Sequence, residues 1–175
     1  MTTTARTAAA APRGLASAFA IAATIAIAAC TPGARAPPDS RAADEVEAVR
    51  ARGHALFFGR AGCGACHAVG RDGDRIVGPN LGVGGDQAVP AARRQRGGRV
   101  GVPYLVESIV EPDAVVVPGY AAGVMPRLAA PPVALTDDEL VALVVYLAAQ
   151  GPGAAPVDAA TLATARHEVA AARGR

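Results

Sequence analysis

Two cysteines spaced by two residues and followed at once by a histidine, Cys63-Gly64-Ala65-Cys66-His67, constrain this chain more than any other feature. Thiols at this spacing serve three chemistries. A thioredoxin-like redox pair needs a strand before it and an alternating strand and helix pattern. Half of a zinc site needs two further ligands. Neither need is met: the remaining cysteine is Cys30, far upstream, and the remaining histidines are His54 and His167.

The third chemistry is covalent attachment of a haem, in which each thiol adds to one vinyl group on a haem edge while the adjacent imidazole reaches the iron. The sequence therefore predicts one haem c held by Cys63 and Cys66 and ligated by His67. A large apolar cofactor also suits a chain with three Phe, three Tyr and no Trp, whose own core is small.

The ends of the chain read as non-globular. Residues 1–13 carry Arg6 and Arg13 and no acid, and residues 14–29 form an uncharged run ending in small side chains, the layout of a secretory signal peptide. The run is short for a bilayer-spanning helix, which needs roughly 20 apolar residues; the alternative is an uncleaved membrane anchor. Ile27-Ala28-Ala29-Cys30 resembles the bacterial lipobox, which implies cleavage before Cys30 and its acylation as a lipid anchor. Ordinary signal-peptidase cleavage at the neighbouring Ala residues would instead leave Cys30 incidental. With Pro32, Pro37 and Pro38 and no apolar periodicity, residues 30–43 are expected to be a flexible linker.

Removing these ends leaves ~100 residues, one small domain. All 17 basic residues are Arg, and without Arg6 and Arg13 the mature chain has as many Arg as its 15 Asp and Glu. Formal neutrality and scarce aromatics argue against nucleic-acid binding, which needs a basic face and stacking rings.

Three helices are expected within the domain. The first spans residues 44–58, with Val46, Val49, Gly53 and Phe57 at intervals of three or four. The second starts near Pro103, acceptable in a first turn, and ends at Pro112. Residues between Pro112 and Pro131 are expected to be irregular. The third is announced by a capping box, Thr136 with Glu139, followed by Leu140, Leu143, Val144 and Leu147 and closed by Gly151. Residues 151–175 read as an Ala-rich tail, able to form a peripheral helix but with little side-chain area to bury.

An iron with both axial positions filled has no vacant place for a substrate, so the sixth ligand separates electron transfer from ligand chemistry. Besides the initiator, Met125 is the only methionine. It follows Gly119 and Gly123 and precedes Pro126, a flexible approach with a rigid stop, which could bring a thioether to the haem face opposite His67; the alternative is core filling. His54, on the first helix, is a rival only if that helix bends over the distal face. Arg93, Arg94, Arg96 and Arg99 crowd one loop, either a solvated run or a patch that steers an acidic redox partner.

With Cys63-Gly64-Ala65-Cys66-His67, Gly78-Pro79-Asn80-Leu81, Val124-Met125-Pro126 and a last helix containing Tyr146, residues 44–150 resemble the class I cytochromes c. The resemblance implies an all-α fold of three main helices wrapped around the haem. It also implies that the Pro79 carbonyl accepts a hydrogen bond from the proximal His67, and that Gly53 and Phe57 or Phe58 pack against Tyr146. The segment from Tyr104 to Pro112, with Val117-Pro118-Gly119-Tyr120, is similar to cytochrome c domains associated with haem-copper oxidases, although the copper-binding domain and transmembrane helix pair are not here. The implied function is one-electron transfer with redox partner proteins on the periplasmic side of a bacterial membrane, without catalysis. The alternatives are a dedicated haem subunit of a larger oxidase or dehydrogenase complex, and a sensor or peroxidase-like protein with an open iron.

Overall fold

The structure, a computed structural model, describes residues 40–69, 77–81, 98–150, 154 and 156–174. The expected leader, Cys30 and the linker up to residue 39 lie outside these residues, as do Arg93, Arg94 and Arg96. Among the described residues the protein is all-helical, with four helices and no strand. No helix among them is long and apolar enough to cross a membrane.

Helix α1, Ser40–Phe58, buries Val46, Gly53, Leu56 and Phe57. It starts four residues before the expected Asp44. Ser40 is a residue type favoured at helix starts, and Arg41, Ala42 and Ala43 are good helix formers. Apolar periodicity begins only at Val46, so it carries no trace of this first, solvent-facing turn.

Helix α2, Val102–Val110, follows Gly101, whose φ of 66° lies in the left-handed region that favours glycine, and has Pro103 in its first turn. It buries Val106 and Ile109 and stops before Pro112, which opens a short 3₁₀ turn, Pro112–Ala114. From there to Leu135 the backbone is irregular, as expected.

Helix α3, Asp137–Ala148, is the centre of the domain. Its capping box is formed: the Glu139 amide donates to Thr136 Oγ1 at 3.3 Å, and the Thr136 amide donates to Glu139 Oε2 at 2.9 Å. That backbone donor holds the Glu139 carboxyl below its ordinary range. Every residue from Leu140 to Tyr146 is buried, because α1, α2 and α4 all pack on α3.

The closest approach is where α1 meets α3. A Cβ on Gly53 would lie 2.0 Å from the Ala142 carbonyl oxygen and 2.7 Å from Tyr146 Cβ, so only glycine fits. Beside this crossing the Phe57 and Tyr146 rings are 5.5 Å apart, and His54 lies edge-on to Tyr146 at 5.4 Å. The expected pairing of Gly53 and Phe57 with Tyr146 is therefore present, and Phe58 is exposed.

The largest departure from expectation is the tail. Residues Ala159–Arg173 form α4, opened by a second capping box between Asp158 and Thr161, and they bury Leu162, Ala165, Val169 and Ala172 against α3 and α2. This helix belongs to the core and is not peripheral. Ala165 and Ala172 bury little area themselves, but their small side chains let the helix sit close. Leu162 and Val169 then supply apolar burial worth about 1.5–3 kcal/mol each.

Candidate cofactor site

The Cys63 to His67 motif sits on a turn built from the end of α1. The Ala61 amide donates to the Leu56 carbonyl at 3.1 Å, and Gly62, with φ 68°, turns the chain into a short 3₁₀ turn, Cys63–Ala65. The amides of Cys66 and His67 then donate to the Cys63 carbonyl at 3.1 and 2.9 Å. Gly64 faces the Phe58 ring, where a Cβ would come within 2.8 Å of Cδ1.

The segment at residues 77–81 returns to this turn. The Gly78 amide donates to the Cys66 carbonyl at 2.9 Å, and the Leu81 amide donates to the Ala68 carbonyl at 2.8 Å. This register brings the Pro79 carbonyl oxygen to 2.8 Å from His67 Nδ1. A carbonyl only accepts, so Nδ1 carries the proton and donates, and the lone pair is on Nε2, free to bind a metal. Gly78 fixes the ring from the side: a Cβ there would lie 2.4 Å from His67 Cε1. The hydrogen bond and the close backbone together set the tautomer and orientation of the imidazole.

Cys63, Cys66 and His67 open onto one largely apolar cavity. Pro79 and Leu81 line it from the returning segment, Tyr104, Leu105 and Ile109 from α2, and Leu147 from α3. The loop after α2 adds Val117, Leu128 and the half-buried Met125. Gly119 and Gly123, at φ 90° and 74°, give this loop backbone conformations that side chains disfavour. The structure thus gathers Cys63, Cys66, His67, Pro79 and Met125 around a single space. His54 and His167 are not among its lining residues, and Cys30 is not described.

The two competing chemistries fare poorly. Among the described residues no group of three or more His, Cys, Asp or Glu has the geometry of a metal site such as zinc would need. A helix, not a strand, precedes the motif, unlike a thioredoxin-like pair, and burial pushes the Cys63 thiol up to about 11.

Sequence reasoning placed Tyr104 and Leu105 on a helix without assigning them to the site, and it missed Leu128 altogether. Leu128 is an isolated apolar residue in a loop, and no periodicity marks it. Of the four crowded arginines only Arg99 is described, and it is ion-paired with Glu168 on α4 at 2.5 Å. No known protein-family profile matches the chain, and no curated protein matches it.

Proposed function

We propose that this chain is an exported one-electron carrier with a cytochrome c fold and one haem c. The observation that carries the reading is the Pro79 carbonyl bound to His67 Nδ1 beside Cys63 and Cys66, in a cavity that Met125 also lines. The donor set fits the group: two thiols for thioether bonds, an imidazole with its lone pair on Nε2, a thioether sulfur and an apolar surround. When bound, the haem supplies an iron centre that alternates between ferric and ferrous.

The protein's own residues do the rest. Cys63 and Cys66 would hold the group in place, and His67, oriented by Pro79, would ligate its iron. Met125 would supply the second protein ligand, keeping small molecules from the metal and favouring its reduced form. Apolar side chains from α2 and the loop exclude water, so the surroundings reorganise little with each change of charge. The donor and acceptor are redox proteins at a membrane to which acylated Cys30 tethers the domain.

The test is a visible and near-infrared spectrum of the oxidised, mature protein made with haem-attachment machinery. We expect the weak charge-transfer band of methionine-ligated ferric haem; a high-spin spectrum without it would move the protein to ligand binding or catalysis. For the anchor, Cys30→Ser should shift the protein from the membrane fraction to the soluble one. Unchanged retention would count against acylation at Cys30.

A further inference from the structure

The loop carrying Met125 is held differently on its two sides. Upstream lie the left-handed glycines Gly119 and Gly123, the latter's amide donating to Asp113 Oδ1 at 2.8 Å. Downstream, Leu128 is 3% exposed in the cavity wall, and the Leu135 amide donates to its carbonyl at 2.8 Å, closing residues 128–135 into a ring. Arg127, two residues after Met125, pairs with Glu111 at the end of α2.

Two guanidinium groups grip this ring. Arg60, three residues before Cys63, donates to the Val133 carbonyl at 3.0 Å and to Glu139 Oε2 at 2.9 Å. Arg173, in the last turn of α4, donates from Nη1 to the Ala129 carbonyl at 3.0 Å, from Nη2 to the Leu135 carbonyl at 2.7 Å and from Nε to Asp137 Oδ1 at 2.7 Å. One side chain thus binds both ends of the ring and the start of α3. Only a planar fork reaches three acceptors in this way, since an ammonium is a point donor.

We propose that Arg173 is a positioning residue for Met125, holding the downstream side of its loop so that the thioether stays at the cavity; this rests on the reading of Met125 as the sixth ligand. Pro126 makes the connection short and stiff, so slack in the ring passes to Met125. Through Arg173 the fourth helix, beyond the three expected around the haem, controls how readily an outside ligand displaces the thioether.

The experiment titrates ferric, full-chain holoprotein with imidazole, an external ligand that competes with Met125, and follows loss of the near-infrared band. Arg173→Ala should lower the imidazole concentration for half-displacement by about tenfold, the scale of one charge-assisted hydrogen bond. Arg173→Lys, which keeps the charge beside Asp137 but cannot span both carbonyls, should lower it in the same direction. Arg166→Ala is the matched control: it removes an equal charge from α4, where Arg166 pairs with Glu45 on α1 at 2.6 Å, far in sequence from the loop. It should leave the titration unmoved. Equal shifts in Arg173→Ala and Arg166→Ala would reduce Arg173 to general docking of α4, and an unmoved Arg173→Ala would also overturn the proposal. If Arg173→Ala does not accumulate, the lysine variant decides by the same comparison. A wild-type protein with no band before titration would defeat Met125 ligation itself, a different failure.

Discussion

Met125→Ala should retain its covalent haem, lose the near-infrared band and show a midpoint potential lower by on the order of 0.1–0.3 V, within the roughly 0.8 V range that axial ligands command. The attachment side should survive, because Cys63, Cys66, His67 and the Pro79 carbonyl are organised by the turn after α1 and the returning segment, not by the Met125 loop. If Met125 ligates the iron as proposed, alanine would withdraw the thioether and with it the preference for the ferrous state. Carbon monoxide should bind the ferrous variant more readily than the wild type. Potentiometric titration followed in the visible region reads the first effect; an unchanged potential and spectrum would remove Met125 from the iron.

Gly53→Ala should be the most damaging glycine-to-alanine change among the described residues. Its Cβ meets the backbone carbonyl of Ala142 at 2.0 Å, and a backbone atom cannot swing aside as a flexible side chain can. Helices α1 and α3 must separate, which loosens the Phe57–Tyr146 contact beside the crossing. Overpacking typically costs about 1–3 kcal/mol, and a backbone clash this close sits at the upper end, a large share of the roughly 5–15 kcal/mol that stabilises a typical domain. For a domain of this size that is a fall in Tm of roughly 10–20 °C, measurable by circular dichroism. A variant melting within a few degrees of wild type would mean that the crossing is looser than described.

Much of this architecture was legible from residue pattern because its signals are local. Thr136 and Glu139 announced the start of α3, Pro103 and Pro112 bracketed α2, and the Cys63 to His67 spacing located one wall of the site. What depended on tertiary structure was less visible. The tail looked peripheral because alanine offers little area, yet area is not the only route to burial: Ala165 and Ala172 act by being small while Leu162 and Val169 fill the interface. The Asp158 and Thr161 cap was present in the sequence and was a usable signal. The roles of Arg60 and Arg173 were not legible, because their acceptors are carbonyls of Val133, Ala129 and Leu135, and every residue type presents a carbonyl. Pro79 was reachable only through family resemblance, for the same reason.

The link between Arg60 and Glu139 spans 79 residues of sequence and ties the turn before Cys63 to the first turn of α3. Closing a loop of that length costs about 4 kcal/mol in chain entropy, so α1 gains its main partner only after α3 has emerged. During synthesis, amino end first, Cys63 and Cys66 therefore pass through a period in which no finished core surrounds them. Their thiols are then exposed, before α3 arrives and burial of Cys63 begins. The order of residues along the chain thus acts as a timer, leaving the two thiols accessible until the helix that completes the core has arrived.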